Sequence, residues 1–598
     1  MRAPKLFSLV GLFVATFVFP WHITPVLGFV GVLNPQGDKL HWELLKPSPS
    51  VHTNVVNPIT KAVRYYLAAN AYSTTNTSNE LNALRSAFAQ WQSVPGTHLK
   101  FEDAGLVAPG PGVDINTTDN TNIVFWAKNG TLINGGRDDM RGTFGLAYQD
   151  FFEDEKNTMV EADIVLNGDR YGWFTDFTAT ASLDLFVDAI ALHEIGHFIG
   201  LNHSPVGGST MFVRGGKGVG TQPGLSLDER AAVLWLYPTP NLNLGTLSGV
   251  VTMSGKGVLG ATVAAEDAAG NLVQSTATRS DGSYEIPSLL PGLYKLRVCP
   301  LDPAGAKAFM MTGQDIDPFG TFADAETGFL PSAEVILAIS AAGATKHNFD
   351  VVAAGNTPIL RITRIRLPSE LVNTFASVNT AALVRQGSRQ LTVGVFGPNL
   401  PTSGATLIVT GDGITHGPVT FLQEAFVGLN LVSVKIDVAE DATPGLRSFV
   451  LMRGDQVAYA NGFLEVQPRL PDFNFDGVDD VFQRKYFALF TAAEAGPEKD
   501  PDGDGFSNLQ ESLAGTNPLD SKSVFAIESV THTHTPHSTT VRWRGAPGHR
   551  YQVLSRRDLD ESAWEVLGEV LGVEGLTTEF VDKSPEGQHQ FYRVVGIR

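Results

Sequence analysis

At 598 residues the chain exceeds what one hydrophobic core can hold, and ordinary domain sizes predict about four or five units. Only 18% of residues are charged, yet 62 acidic against 43 basic side chains give a formal net charge of -19, which argues against nucleic acid and anionic membrane as partners. Calcium binding, or solubility alone, suits that balance better.

Arg2 and Lys5 precede LFSLVGLFVATFVF, an apolar run ending at Phe19. It is short for the roughly 20 residues of a spanning helix and suits a secretory h-region. Pro20 breaks the run, and Gly28 with Val26 two before it suits cleavage, so residues 1–28 are expected to be a signal peptide; retention as an N-terminal anchor is the alternative. The expected location is secreted or cell envelope, with no membrane span after cleavage. One cysteine, Cys299 in YKLRVCP, excludes an internal disulfide, so stability must come from cores and bound ions. Cys299 itself reads as a small buried hydrophobe.

From about residue 40 to 238 strands and helices alternate. KAVRYYL reads as a strand, and SNELNALRSAFAQW as a helix with Leu81, Leu84, Phe88 and Trp91 on one face. HLKFED, NIVFWA and EADIVLN read as further strands. A second helix is expected from about Leu183 to Leu201, and a third in SLDERAAVLWLYP, opened by a Ser226/Glu229 capping box.

The second helix carries HEIGHFIGLNH, residues 193–203, which gathers three of the fourteen histidines. Positions four apart share a helix face, so His193 and His197 can present two imidazoles to one ion with Glu194 beside it. Gly200 lets the chain leave the helix, and His203 returns as a third ligand. Three protein ligands leave a fourth position for water, the open form of a catalytic zinc site.

His-Glu-x-x-His-x-x-Gly-x-x-His is the metzincin signature, and SPVGGSTMF places Met211 where that clan has its Met-turn. Ser204 after His203, and Phe212 in place of a ligating tyrosine, make residues 38–240 resemble the matrixin branch. AFAQWQSVPGTHLKFED, GLAYQ, EADIVLN and LSLDERAAVLWLYP follow in matrixin order. The resemblance implies an α/β catalytic domain with a mixed sheet and three helices, zinc on His193, His197 and His203, and Glu194 as general base. It also implies a substrate edge strand at Gly145, Leu146 and Ala147. GLAYQDFFEDEKNTMVEADI has no histidine, so the second, structural zinc of animal matrixins is expected to be missing, while Asp150, Glu153, Asp154 and Glu155 there could hold calcium. No cysteine precedes the domain, which leaves no thiolate latency, and residues 29–40 are too few for a folded prodomain. The wall of the specificity pocket is expected in FVRGGKGVGTQPG.

After Pro238 short alternating runs broken by Gly, Pro and Asp-Gly predict successive all-β sandwiches. Residues 245–352 resemble a carboxypeptidase regulatory-like domain through Gly249-Val250, Gly260-Ala261, Asp281-Gly282 before Tyr284, and Leu290-Pro291-Gly292 before Tyr294. Residues 356–468 read as an immunoglobulin-like sandwich by periodicity. Residues 524–598 resemble the fibronectin-like C-terminal modules of secreted bacterial proteins, which points to a bacterial source. THTHTPH within them reads as an exposed strand or loop ahead of a metal chelator.

Residues 470–522 hold two acidic loops. In DPDGDGFSNLQE, Asp500, Asp502 and Asp504 take loop positions one, three and five, Gly505 turns at six, the Phe506 carbonyl serves seven, Asn508 nine and Glu511 twelve. That is the EF-hand ligand spacing for calcium. The earlier loop has Asp472, Asn474, Asp476 and Asp480 but ends in Gln483, whose amide cannot give a bidentate carboxylate, so weaker calcium binding is expected. The pair resembles dockerin-like and thrombospondin type 3 calcium modules.

The leading expectation is a multidomain secreted zinc metalloendopeptidase acting on protein or peptide substrates, with catalytic zinc and structural calcium. Extracellular proteins or glycans are possible partners of the sandwiches. The alternative is a surface adhesion or matrix-binding protein with an idle protease-like domain; a calcium-stabilised stalk would leave the first 240 residues unexplained.

Overall fold

The computed structural model describes residues 6–10, 39–108, 114–152, 157–176, 184–212, 224–301, 325–357, 359–369, 377–378, 381–535, 537–558, 563–572, 577–583, 585 and 590–597. Contacts divide the chain into two compact units, Met1–Arg469 and Leu470–Arg598. Strand dominates both, and no helix among the described residues is long and apolar enough to cross a membrane.

The first unit begins with a mixed sheet. Its strands are β1 (Leu6–Val10), β2 (Val56–Asn57), β3 (Ala62–Ala68), β4 (Phe101–Val107), β5 (Ile123–Ala127), β8 (Gly145–Phe152) and β9 (Thr158–Asn167); β6 (Leu132–Ile133) and β7 (Asp138–Asp139) form a separate ribbon. The order is β1-β8-β9-β5-β3-β2, with β4 also paired to β3. β3, β5 and β9 run parallel, and β8 lies antiparallel to β9. Nearly every residue of β9 is buried, as expected of an inner strand covered on both faces.

Helix α1 (Thr77–Gln92) buries Leu81, Leu84, Phe88 and Trp91 as their spacing predicts. Phe88 stacks on Tyr65 of β3 at 3.9 Å between centroids, and the Trp91 indole N–H donates to the Leu192 carbonyl at 3.0 Å. That bond locks α1 onto α2 (Val187–Phe198), the helix of the histidine motif. The observed α2 is shorter than the expected Leu183–Leu201. Leu185–Phe186 instead pairs as a strand with Trp173–Phe174, and at the other end Gly200 turns left-handed at φ +104°. A Cβ at Gly200 would meet the Leu40 carbonyl oxygen at 2.1 Å, so the chain must exit there through a residue without one. Helix α3 (Leu227–Leu236) opens with the predicted Ser226/Glu229 capping box.

Residues 1–28 are the segment expected to be a signal peptide. Of these the described residues Leu6–Val10 form β1, which pairs antiparallel with Tyr148–Phe152. β8 is therefore not an outermost strand along that stretch, because its outward N–H and C=O groups are taken up by another extended segment. Gly145, Leu146 and Ala147 lie beyond the β1 pairing and have β9 as their strand partner.

Two sandwiches complete this unit. The first pairs Gly245–Met253 with Ser283–Leu289 and Phe349–Ala353 around a core that includes Leu247, Val263, Ile286 and Leu296. Cys299 is buried at the end of its strand Gly292–Cys299. The second sandwich faces a five-stranded sheet, centred on Leu391–Gly397 and Leu429–Val438, with a four-stranded one holding Gly445–Arg453 and Gln456–Gln467. The segments expected to be three separate domains thus pack within one unit.

In the second unit short helices over Asp480–Tyr486 and Asn508–Ala514 precede two three-stranded sheets around Val541, Trp543, Tyr551 and Val553. The Tyr551 hydroxyl donates to the Ala514 carbonyl at 2.9 Å, joining helix to sandwich. His532, His534 and His537 stand exposed on a hairpin, as THTHTPH suggests.

Candidate metal centre and acidic loops

Helix α2 sets His193 and His197 one turn apart, and the chain returns from Gly200 to bring His203 beside them. The three ring centroids lie 4.8, 5.3 and 5.0 Å from one another. One nitrogen from each imidazole falls within 4.8 Å of the others. The Nε2 atoms of His193 and His197 are 3.2 Å apart, close to the roughly 3.3 Å expected of two nitrogens tetrahedrally bound to one zinc at about 2.0–2.1 Å.

The second ring nitrogens are anchored to backbone. His193 Nδ1 donates to the Thr210 carbonyl at 2.7 Å and His197 Nδ1 to the Leu201 carbonyl at 2.8 Å. A carbonyl can only accept, so each Nδ1 carries the proton and each Nε2 keeps a lone pair for a metal. Burial, with His203 next in importance, holds the His193 pKa down to about 3, and burial with His193 and His203 lowers His197 well below its ordinary value. Both rings are neutral at physiological pH. The donor set and its spacing fit zinc.

Glu194 is buried beside the three histidines, and burial pushes its carboxyl up to about 8. Its side chain lies against Gly145 at the start of β8, where an added Cβ would come within 2.7 Å of Oε1. The Gln149 side-chain amide also donates to the His197 carbonyl, tying β8 to α2. The Glu194 carboxyl therefore sits between the three histidines and the start of β8, where Gly145, Leu146 and Ala147 were expected to receive substrate. Met211 packs beneath α2; a Cβ at Gly196 would overlap its sulfur at 2.1 Å.

Sequence reading missed what holds this loop. Asp228 and Glu229 of α3 bind it: the Ser204 hydroxyl donates to Asp228 Oδ2 at 2.7 Å, and the Met211 N–H to Glu229 Oε1 at 3.0 Å. Both acids also read as ordinary first-turn helix residues, which conceals the role. Of the acidic residues 150–155, Asp150 is buried with its carboxyl raised to about 6 by burial, and Glu153, Asp154 and Glu155 lie outside the described residues. So does the pocket segment 213–223.

In the second unit one carboxylate oxygen from each of Asp500, Asp502 and Asp504 lies within 4.8 Å of the others. Backbone N–H groups of Gly503 and Gly505 hold the two Asp500 oxygens at 2.8 and 3.0 Å. Asp502 Oδ2, Asp504 Oδ2, Asn508 Oδ1 and Glu511 Oε2 are screened from solvent without a hydrogen-bond donor. Such oxygens cost free energy unless a cation or water meets them. Burial and then the hydrogen bond from Thr516 act oppositely on Glu511, and the neighbouring aspartates help to raise its carboxyl to about 7. This donor set fits a hard cation such as calcium.

The earlier loop is different. The Asn474 amide donates to Asp476 Oδ2 at 3.0 Å, and the Gln483 amide donates to the same oxygen at 2.8 Å and to the Ala495 carbonyl at 2.9 Å. Asp480 Oδ2 accepts from the Phe473 N–H at 2.6 Å and Asp472 from Asp476 and Gly477 N–H. Two neutral amides thus supply donors to the loop's own carboxylate.

Among solved structures the chain is similar to BcpA, the major pilin subunit of Bacillus cereus, at 9% identity over 58% of this chain and 87% of that one, with a TM-score of 0.14. It is similar to the Bacillus anthracis TIE protein at 8% identity over 59% and 45%, with a TM-score of 0.13. Likeness at this level leaves function to the site. No curated protein matches the chain. Two family models do match: matrixin over residues 59–238 and the carboxypeptidase regulatory-like domain over residues 246–305.

Proposed function

We propose that the protein is a secreted zinc metalloendopeptidase that cleaves extracellular proteins. The observation that carries this reading is the convergence of His193, His197 and His203 with buried Glu194 directly over Gly145. A matrixin domain supports metallopeptidase chemistry in general.

Zinc bound to the three imidazoles would supply a Lewis acid that polarises the scissile carbonyl and acidifies a water. Glu194 accepts the proton of the attacking water and passes it to the departing amine, and its burial raises its proton affinity toward that task. The Thr210 and Leu201 carbonyls keep two ligands in the right tautomer. Backbone groups at Gly145, Leu146 and Ala147 pair with an extended substrate. Met211 packs and does no chemistry. In the C-terminal unit, Asp500, Asp502, Asp504, the Phe506 carbonyl, Asn508 and Glu511 would hold calcium, whose charge would offset their clustered carboxylates at the start of the helix over Asn508–Ala514.

The test is cleavage of a denatured protein by the full chain, with and without a zinc chelator, beside Glu194→Ala. Chelator-sensitive cleavage lost in the variant supports the reading. Equal cleavage by parent and variant refutes the mechanism, whereas no cleavage by either favours an adhesion protein with an idle protease-like domain.

A further inference from the structure

The segment His203–Phe212, which carries the third histidine and Met211, is buried throughout although it forms neither helix nor extended strand. Buried irregular backbone needs external partners to hold it. Helix α3 supplies Asp228 and Glu229, His193 and Gly224 bond Thr210, and the two sandwiches supply further partners.

Val206 shares a small core with Ala264 and Leu272 of the first sandwich and Leu446 of the second. Phe212 joins the main core of the second sandwich, its ring edge-on to Phe463 at 5.5 Å. Between them the Gly207 N–H donates to the Asn461 carbonyl at 3.1 Å. A Cβ at Gly207 would stand 2.4 Å from the Phe463 ring, and one at Gly208 2.4 Å from Leu446 and 2.6 Å from the Gly462 carbonyl. The Gly207-Gly208 pair is where the loop is pressed against the second sandwich.

That contact surface is itself fixed. The Asn461 side chain accepts from Arg297 at 2.8 Å, and Arg297 is fully buried in an ion pair with Glu266 at 2.6 Å. Arg297 also donates to Ser448 at 2.8 Å, which joins the first sandwich to the second. On the first sandwich, the Ser275 N–H donates to Asp228 Oδ1 at 3.3 Å, while Asp228 Oδ2 holds Ser204, the residue after His203.

The same loop reaches a second ligand, since the Thr210 carbonyl anchors His193 Nδ1. We propose that the sandwiches over residues 245–468 are positioning elements of the metal centre, gripping residues 204–212 so that His203, and His193 through Thr210, stand in ligand geometry. Val206, Gly207, Asn461 and Phe463 are the positioning residues. The inference rests on reading the three histidines as a zinc site, and adds that the site is complete only when the modules behind it are docked.

The experiment measures zinc affinity of the full chain by competition with a chromophoric chelator, alongside its melting temperature. Val206→Ala shortens a side chain in the shared core, and Val258→Ala does the same in the first sandwich's own core, away from the loop. Gly207→Ala forces the loop off Phe463, and Gly207→Ala with Phe463→Ala relieves that overlap.

Outer-shell partners of metal ligands commonly change affinity about 10- to 100-fold. Val206→Ala and Gly207→Ala should weaken zinc within that range while Val258→Ala leaves it at the parent value, and the double variant should bind more tightly than Gly207→Ala alone. Unchanged affinity in Val206→Ala and Gly207→Ala overturns the inference, as does an equal loss in Val258→Ala, which would mean that only overall stability matters. If Gly207→Ala does not fold, the Val206→Ala and Val258→Ala comparison decides. A parent that binds no zinc sinks the zinc reading itself; a zinc-binding parent with indifferent loop variants sinks this inference alone.

Discussion

Glu194 lies so close to Gly145 that a Cβ on the glycine would stand 2.7 Å from its Oε1 and 2.8 Å from its Cγ. The proposed general base is thus seated on the backbone of the strand expected to receive substrate. Gly145→Ala should displace the carboxylate while leaving the histidines in place. We expect a loss in kcat of about a hundredfold with zinc retained, since displacements near 1 Å cost rates of that order. Steady-state kinetics and metal analysis of one preparation check this.

Glu194→Ala should fold and hold zinc but lose peptide hydrolysis by several orders of magnitude, because the proton acceptor goes while the ligands stay. Activity within tenfold of the parent would assign the base elsewhere.

An extended peptide inhibitor should bind antiparallel to β8 by main-chain hydrogen bonds at Gly145, Leu146 and Ala147, the part of the strand beyond the β1 pairing. Amide exchange should slow at those residues on binding. Protection confined to another strand would contradict this placement.

Calcium should raise the melting temperature of residues 470–598, which form a compact unit. Asp504→Ala should reduce the effect more than Asp476→Ala, because Asp476 already accepts from the Asn474 and Gln483 amides whereas Asp504 Oδ2 has no donor. Calorimetry that detects no calcium binding at millimolar concentration would leave these carboxylates as a solvated acidic linker.

Glu465 in the strand Gln456–Gln467 has its carboxyl pushed up to about 7, by burial first and then by the facing Glu229, against a hydrogen bond from Gln467. A carboxyl with a raised folded pKa contributes stability below its ordinary value near 4.5 and loses it as pH rises through about 7. Glu465→Gln should therefore melt higher than the parent at pH 8, with the gap closing toward pH 5. A gap that widens on acidification would show the opposite sign of coupling.

Much of the candidate metal centre is legible in the sequence. His193 and His197 depend on the helical repeat, and His203 on a glycine exit three residues earlier, so their convergence is local chemistry. The same holds for the Ser226 capping box and the alternating oxygens of Asp500, Asp502 and Asp504, where neighbours in sequence are neighbours in space. The ends of α2 were less legible, because its start is decided by the pairing of Leu185–Phe186 with Trp173–Phe174 and its exit by the approach of Leu40 to Gly200.

Partners distant along the chain were decided by tertiary structure alone. Gly207-Gly208 signals close approach, yet nothing local says that Asn461, Phe463 and Leu446 approach it from far along the chain. Asp228 and Glu229 read as first-turn acids of α3 until packing turns them toward Ser204 and Met211. Gln483 reads as a missing carboxylate until its amide is seen bonded to Asp476 and Ala495. Periodicity records which face of an element is buried, whereas the surface that buries it is selected by shape and hydrogen bonding across the whole fold.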